Sequence, residues 1–366
     1  MDAAKIAVCR EPNGQIGIES VTVPEIGPEG VLLRVERAGI CASDAHMYAG
    51  AMEGLPFPIV LGHELVGVVV QTGLSEDSMG QPLSIGDRVI PMPAVACGKC
   101  SECLVGGYRY RCQNITALGF MGIDHPLSGG WAQYVILRPG QFFIKTELPP
   151  ENAVLLEPLC TPLGGLEAVG IRPDDYVVIQ GSGAVGLLAL LVAMSRGARH
   201  CAVIGGPAPR LELASILGAE LTIDVAGTTA DERFARISQW ALPTRGATVV
   251  VECAGAPNAV PEGLSYLANG GRYAELGNFT DNGSTTINPF RDFMRRNVTL
   301  IARSGYDPRH WVMGHELLSS YGDRFSSLVT HQEPLERVEE VIHSVLEHRW
   351  ELDGRVFVKA TFDPWL

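Results

Sequence analysis

Two hydrophobic patterns follow one another along this chain of 366 residues. Between Val21 and about Ile144 the apolar segments are short, rich in β-branched residues and bounded by glycine or proline. Segments of this kind are typical of β-strands. They are VLLRVERAGI, IVLGHELVGVVV, GDRVIPMP and WAQYVIL. The pattern predicts a β-rich domain in the first part of the chain.

From about Tyr176 the pattern changes to apolar strands that alternate with helical segments. The series is YVVIQ, AVGLLALLVAMSRGA, HCAVIG, PRLELASILGA, LTIDV, ATVVVECAG and NAVPEGLSYLANGG. This alternation predicts βαβ units and a parallel sheet, and the continuous apolar runs suit strands covered on both faces. Beyond Tyr306 the pattern is helical again and ends in RVFVKATF, a strand that we expect to return to the first domain.

Length and charge narrow the class of protein. A chain of 366 residues exceeds a single-core domain, so we expect two domains. Its net charge of −13 disfavours nucleic acid or an anionic membrane as a partner, because both require a basic surface. No apolar run is long enough to cross a bilayer, and the N-terminus has no signal-peptide pattern. We therefore expect a cytoplasmic protein with a small-molecule substrate.

Four cysteines lie close together in CGKCSECLVGGYRYRC, at Cys97, Cys100, Cys103 and Cys112. A tight loop supplies three thiolates, and a fourth follows a few residues later in the chain. Together they complete the tetrahedral all-sulfur coordination that suits a structural zinc. Disulfides or idle thiols are the alternative. Both the close spacing and the lack of a signal for an oxidising compartment disfavour it. The sequence predicts a zinc lobe at about residues 95–113.

A glycine-rich motif follows the predicted strand YVVIQ and opens a predicted helix. In the pattern G-x-G-x-x-G the first glycine allows a tight turn, the second lets the backbone approach a pyrophosphate, and the third permits close packing of helix on sheet. The helix N-terminus adds amide donors and a positive dipole. The residues predicted to contact a dinucleotide are Gly181, Ser182, Gly183, Ala184, Val185 and Gly186.

The acidic residue that usually follows the second strand of such a motif is missing. Gly205 and Gly206 stand where a carboxylate would accept the adenosine ribose hydroxyls. Its absence removes repulsion of a 2′-phosphate, and Arg210 or Arg199 would supply a cation if the geometry allows it. Alternatively, Arg210 lies on an exposed helix turn. The sequence leaves NAD and NADP both open.

Residues of metal-ligand type also gather outside the cysteine lobe. A catalytic zinc needs about three protein ligands and one open position, and Cys41 and His63 would supply two ligands. Glu157 is a candidate for the third, with Cys160 as its competitor and Glu64 as an exchangeable ligand or a supporting group. A buried cysteine and a core histidine are the alternative interpretation of the same residues.

The motifs GICASDAH, GHELVG, the cysteine lobe, EPL and GSGAVG occur in an order and at spacings that resemble the zinc-dependent medium-chain alcohol/polyol dehydrogenase family. The resemblance covers essentially the whole chain. It implies an α/β fold with a GroES-like catalytic domain at residues 1–160 and a Rossmann coenzyme domain, a doubly wound parallel sheet, at 161–306. It also implies that the segment 307–366 returns to the catalytic domain and that the protein is a homodimer or homotetramer.

The resemblance also implies roles for individual residues. One catalytic and one structural zinc are expected, with NAD or NADP as coenzyme. The implied catalytic-zinc ligands are Cys41, His63 and Glu157, the implied proton-relay residues are Ser43 and His46, and the further coenzyme contacts are Cys253, Ala254 and Gly277. His46 as an ordinary surface histidine is the alternative. One departure is that the spacing from Cys103 to Cys112 is one residue longer than usual, which a turn at Gly106-Gly107 would absorb.

The implied reaction is hydride transfer between a primary or secondary alcohol and NAD(P). The Glu-Pro-Leu motif favours polyols, sugars or amino alcohols over simple short alcohols. The rival hypotheses are a zinc-free enone or quinone reductase of the same fold and a non-catalytic nucleotide-binding protein. Larger apolar side chains near the motifs would line a substrate cleft or belong to the core, namely Met47, Tyr48, Met52, Phe57, Phe120 and Trp131.

Overall fold

The computed structural model describes residues 3–106 and 109–366. Gly107, part of the turn predicted in the cysteine lobe, lies outside them. The chain forms two compact units: the first is the chain up to Glu157 together with Asp307–Leu366, and the second is Pro158–Tyr306. The domain boundaries expected at 160 and 306 stay a prediction. Among the described residues no helix has the length and apolar character needed to span a membrane.

The N-terminal part of the first unit is mostly β-structure, as its short β-branched segments predict. Its elements in chain order are β1 (Ala4–Cys9), β2 (Ile16–Val21), β3 (Val31–Gly39), α1 (Ala42–Tyr48), β4 (Leu65–Thr72), β5 (Arg88–Pro91), β6 (Ala94–Val95), β7 (Thr116–Ala117), β8 (Tyr134–Leu137), β9 (Phe143–Lys145) and α2 (Pro150–Ala153). The segment 59–64, which precedes β4, is buried but is not part of a regular strand.

The second unit alternates strands with helices. A helix, α3 (Leu156–Val169), leads into it, and then follow β10 (Tyr176–Gln180), α4 (Ala184–Ser195), β11 (His200–Gly205), α5 (Ala208–Leu217), β12 (Leu221–Asp224), α6 (Ala230–Trp240), β13 (Ala247–Glu252), α7 (Ala259–Tyr266), β14 (Leu267–Glu275) and β15 (Thr299–Ala302).

All six strands of this unit form one parallel sheet in the order β12-β11-β10-β13-β14-β15. The order reverses at β10, so the unit is a doubly wound sheet, and the predicted fold class is confirmed. In such sheets ligands bind outside the carboxyl ends of the strands at the point of reversal. That point is the end of β10, where the glycine motif begins.

The rest of the chain completes the first unit with α8 (Pro308–Ser326), β16 (Val329–Pro334), α9 (Val338–Leu346), β17 (Glu351–Leu352), β18 (Arg355–Val356) and β19 (Lys359–Asp363). β19 pairs antiparallel with β3 and parallel with β16. A sheet of seven strands results, with the path β16-β19-β3-β4-β5-β9 and β8 paired to β3. The C-terminal strand therefore lies beside the segments that carry the first metal-ligand cluster.

Candidate metal centres and coenzyme site

The first cluster is assembled where α1 begins and where the loop before β4 ends. Cys41 is the N-cap of α1, and its backbone N–H donates to Asp44 Oδ2 at 2.8 Å. His63 and Glu64 come from the buried segment that leads into β4. The ligand atoms of Cys41, His63 and Glu64 all lie within 4.8 Å of one another. A thiolate, an imidazole and a carboxylate at this separation suit one zinc ion.

Asp44 orients the histidine of this cluster. Its fully buried carboxylate lies 3.2 Å from His63 Nδ1 and accepts from the Gly62 N–H at 3.3 Å. Burial alone lowers the pKa of His63, but the Asp44 carboxylate outweighs it and holds that pKa well above 6.5. With Nδ1 turned to Asp44, Nε2 is the atom left for a metal, as is usual for metal-binding histidines. The sequence feature that could have identified Asp44 is its position three residues after Cys41, at the start of a helix.

Glu64 is held by a lysine from the C-terminal strand. Lys359 Nζ donates to the two carboxylate oxygens of Glu64 at 2.7 and 2.6 Å and to the Ile40 carbonyl at 2.8 Å. Both side chains are buried. Gly39 leaves room for this carboxylate, since a Cβ atom there would overlap Glu64 Oε2. No local sequence pattern marks Lys359, because it is 295 residues away from its partner.

Glu157, the first candidate for a third ligand, has a different position. It is buried in the first turn of α3 and lies outside the described group of three ligand residues. It is close enough to contribute to raising the pKa of both His63 and Lys359. Cys160, its competitor, is completely buried one turn further along α3 and is also outside that group. Which of Glu157, Cys160 and Glu64 completes the ligand set stays a prediction.

The two relay candidates lie one turn apart on α1. Ser43 is buried, and its Oγ lies 3.5 Å from His63 Nε2. His46 is half-buried, and burial, followed by the nearby His348, lowers its pKa. Within the described chain no hydrogen bond joins Ser43 to His46.

Phe120 faces the cluster, with its ring centroid 5.7 Å from that of His63. The other apolar side chains near the motifs belong to the core of the first unit or pack against it. Met47, Tyr48 and Trp131 are almost fully buried, and Met52 and Phe57 are partly buried.

The four cysteines of the lobe meet despite the longer spacing. Cys100 Sγ lies 3.4 Å from Cys103 Sγ and 3.9 Å from Cys112 Sγ, and the Cys97 N–H donates to Cys112 Sγ at 3.2 Å. A tetrahedral zinc with bonds of about 2.3 Å would separate its sulfurs by about 3.8 Å. The backbone N–H of Lys99 is the main cause that lowers the pKa of Cys97 to about 6. The lobe therefore suits a closed zinc site.

The glycine motif closes tightly on the sheet. Gly181 follows β10 with φ +109°, and a Cβ atom there would lie 2.9 Å from Ala254 N. A Cβ atom on Gly186 would overlap the Gly181 carbonyl oxygen. Gly183 is the N-cap of α4, whose first two residues are Ala184 and Val185. The N-terminal amides of α4 are thus presented where a pyrophosphate would bind.

The residues after β13 and β14 lie at the same edge of the sheet. The Cys253 N–H donates to the Gln180 carbonyl at 2.8 Å, and the Ala254 N–H donates to Glu252 Oε1 at 2.7 Å. Gly277 has no room for a side chain, because a Cβ atom would meet Glu252 and the Gly255 N–H. Burial, and then the neighbouring Glu275, raises the pKa of Glu252 to about 8.

Ser182 occupies the corner after β11. Its hydroxyl donates to the Gly206 carbonyl and accepts from the Gly206 N–H, both at 2.9 Å. Arg210 is buried in α5, with Nη1 3.8 Å from the Cβ position of Gly183, and burial lowers its pKa to about 10. Arg210 therefore does not lie on an exposed helix turn. Arg199 is exposed and precedes β11, so it belongs to the opposite end of the strand.

Comparisons with known proteins show the family of this chain. Residues 27–148 match the alcohol dehydrogenase GroES-like domain, and residues 184–320 match the zinc-binding dehydrogenase domain. The chain is 35% identical to 5-exo-hydroxycamphor dehydrogenase of Pseudomonas putida, over 94% of this chain and 96% of that protein. It is 31% identical to sorbitol dehydrogenase of Bacillus subtilis (strain 168), over 92% of each. A zinc-binding dehydrogenase of Sinorhizobium meliloti 1021, solved bound to NADP, matches with a TM-score of 0.85 and 28% identity over 100% of both chains.

Proposed function

The chain belongs to the zinc-dependent medium-chain alcohol and polyol dehydrogenase family, and from this premise we propose that Cys41, His63 and Glu64 form its catalytic metal site. It is an NAD(P)-dependent oxidoreductase that interconverts an alcohol and a carbonyl compound. The zinc-free reductase is not favoured. The observation that carries the proposal is the approach of three different ligand atoms to within 4.8 Å of one another.

Each residue of the proposed site has a distinct task. When bound, zinc polarises the substrate oxygen and lowers the pKa of its hydroxyl group. Cys41 and Glu64 supply two negative charges, and His63 supplies a neutral nitrogen that Asp44 keeps in orientation. Lys359 draws part of the charge of Glu64 away from the metal. A site with only one thiolate and a lysine-paired carboxylate is a stronger Lewis acid than a site with two thiolates.

Ser43 and His46 carry the proton that the alcohol loses. The Ser43 hydroxyl lies 3.5 Å from His63 Nε2, so it would accept a hydrogen bond from a substrate hydroxyl bound next to His63. His46 is half-buried one turn away and is thus partly accessible to solvent. Because burial lowers its pKa below 6.5, His46 is neutral at pH 7 and able to take a proton. A nicotinamide coenzyme, when bound, would accept the hydride of the substrate carbon, and the proton would pass from Ser43 and His46 to water.

The substrate that we propose is a secondary alcohol of the polyol class. Sorbitol dehydrogenase, at 31% identity over 92% of the chain, supports this class. A bulky apolar alcohol is the second candidate, because Phe120 places an aromatic face beside His63 and a 5-exo-hydroxycamphor dehydrogenase is 35% identical. A bulky apolar alcohol would need Phe120 as an apolar wall of its pocket, whereas binding of a polyol would depend little on Phe120.

Steady-state kinetics with sugar alcohols, cyclic apolar secondary alcohols and ethanol test the proposal. We expect kcat/KM to be highest for a sugar alcohol and nearly unchanged by Phe120→Ala. A large loss in Phe120→Ala with a cyclic alcohol as best substrate would favour the second candidate. Ser43→Ala should lower kcat about 100-fold or more, and Ser43→Thr should restore much of it. Full turnover in Ser43→Ala would contradict the relay.

We also propose that the enzyme is a homo-oligomer of the cytoplasm. β15 ends the six-stranded sheet, and Leu300 on it is 38% exposed. An exposed apolar edge strand pairs readily with a second copy. The many free thiols favour a reducing compartment. Light scattering on Leu300→Lys should give a lower mass than the unmodified enzyme, and an unchanged mass would place the interface elsewhere.

A further inference from the structure

At Gly205, the last residue of β11, there is no room for the carboxylate that coenzyme sites of this type place at the end of this strand. A Cβ atom on Gly205 would lie 2.5 Å from Ser182 Oγ and 2.7 Å from Ser182 N. Ser182 is held in this position by its two hydrogen bonds to the Gly206 backbone. An acidic side chain at 205 would therefore displace the glycine motif itself. If a carboxylate binds the adenosine ribose, it has to come from another strand.

Asp224 supplies a carboxylate on the next strand. It is the last residue of β12, and it is the register partner of Gly205 in the parallel ladder. Neighbouring strands are about 4.8 Å apart, so the two positions are adjacent at the carboxyl edge of the sheet. The Asp224 side chain turns toward β11, because its Oδ1 lies only 3.4 Å from the Cβ position of Gly206. The carboxylate thus borders the space that the two glycines leave open.

The charge of Asp224 is available to a ligand. Oδ1 accepts from the Ala226 N–H at 2.9 Å, and within the described chain Oδ2 has no hydrogen-bond partner and no cation forms an ion pair with this carboxylate. Asp224 is half-buried, and residues 225–227 beside it are exposed. A ribose would therefore find one free acceptor oxygen with access from solvent.

Neither of the nearby arginines, Arg210 and Arg233, forms an ion pair with Asp224 among the described residues. Arg210 is buried, with its guanidinium near Gly183 rather than Gly206. Arg233 reaches the carbonyls of Val225 and Thr228, but Glu262 neutralises it through two hydrogen bonds at 2.6 and 2.8 Å. A 2′-phosphate at this corner would meet the negative charge of Asp224.

We propose that Asp224 is the ribose-binding carboxylate of this enzyme and that it selects NAD over NADP. Its free oxygen accepts a hydrogen bond from an adenosine ribose hydroxyl, and its charge repels a 2′-phosphate. We rest this on the proposed function, because the residue has such a role only in an enzyme that uses a nicotinamide coenzyme. In this chain the carboxylate that determines specificity lies at the end of β12 instead of the end of β11. Ser182 occupies the space beside Gly205 where the usual carboxylate would lie.

Direct coenzyme binding tests this without any alcohol substrate. NADH and NADPH are titrated into the zinc-loaded enzyme and followed by nucleotide fluorescence, with the unmodified chain, Asp224→Asn and Asp174→Asn. Asparagine keeps an oxygen for the Ala226 N–H while it removes the charge. Asp174 is an exposed carboxylate just before β10, at the opposite edge of the sheet, so its variant controls for net charge.

We expect the unmodified enzyme to bind NADH at least tenfold more tightly than NADPH. Asp224→Asn should weaken NADH binding about tenfold and reduce or reverse the preference, while Asp174→Asn leaves it unchanged. An unmodified enzyme that prefers NADPH overturns the proposal even if the variant fails to fold. An unchanged ratio in a folded Asp224→Asn also overturns it, with the proposed function intact. Failure of the unmodified enzyme to bind either nucleotide would refute the proposed function as well.

Discussion

Replacing Lys359 with methionine should destabilise the metal-free protein far more than the loss of an ordinary ion pair. Lys359 is 4% exposed, and its ammonium makes contacts of 2.7 and 2.6 Å with Glu64 and 2.8 Å with the Ile40 carbonyl. Glu64 is 0% exposed, so the substitution leaves a buried carboxylate without its counter-charge. Methionine fills the volume of the lysine stem, which limits the effect to charge and hydrogen bonding.

The size of the effect follows from these contacts. Breaking a buried ion pair by removing one partner costs about 3–5 kcal/mol in the free energy of unfolding. In a folding unit of this size that corresponds to a fall in melting temperature of roughly 6–20 °C. The matched control is Lys145→Met, which removes a partly exposed pair with Asp87 at 2.9 Å and should cost about 1 kcal/mol or less.

Thermal unfolding of the metal-free and zinc-loaded proteins measures this cost. If Glu64 is a zinc ligand, the metal provides a second counter-charge, and the destabilisation by Lys359→Met should be smaller with zinc. Adding Glu64→Gln should recover much of the stability of the metal-free variant, because the unpaired charge is gone. A loss no greater than that of the control would refute the reasoning on the buried pair. Equal losses with and without zinc would remove Glu64 from the ligand set.

Further expectations concern the other sites. The raised pKa of Glu252, about 8, means that its contribution to stability is present below the unfolded pKa near 4.5 and is lost as pH rises through 8. The melting temperature should therefore fall less from pH 5 to 9 in Glu252→Gln than in the unmodified enzyme. Parallel curves of melting temperature against pH would argue against a raised pKa of Glu252. Cys112→Ser should release one zinc per chain and lower the melting temperature, as measured by elemental analysis and calorimetry, whereas an unchanged zinc content would exclude Cys112 as a ligand. Gly186→Ala should weaken NADH binding at least tenfold in a fluorescence titration without changing the zinc content, because the added methyl group would overlap the Gly181 carbonyl, and normal binding would contradict this packing.

Local patterns were enough to predict the features whose residues are close in sequence. The cysteine lobe and the glycine motif each lie within one short segment, so spacing alone indicates their chemistry. The alternation of strands and helices predicted the doubly wound sheet, because each βαβ unit is local. The apolar run from Ile59 was a weaker guide. It predicts a strand, but β4 begins only at Leu65, because Ile59, Val60 and Leu61 are buried in the core without belonging to a regular strand.

Features that depend on distant pairing could not be predicted in this way. Lys359 meets Glu64 only because β19 pairs with β3, and the space for that carboxylate depends on Gly39 lacking a side chain. Asp224 gains its place beside Gly206 from the register of β11 and β12. A sequence pattern gives each strand but not which residues of two strands are opposite each other. The sequence pattern therefore left the coenzyme preference open.

Zinc content tests the central claim, two separate zinc sites in one alcohol dehydrogenase, most directly. Elemental analysis would be made on the purified protein, on Cys41→Ser and on Cys9→Ala, whose buried thiol belongs to neither cluster. The account predicts two zinc ions per chain in the unmodified protein and in Cys9→Ala, and one in an inactive Cys41→Ser. Cys41→Ser with two zinc ions and full alcohol oxidation would contradict it.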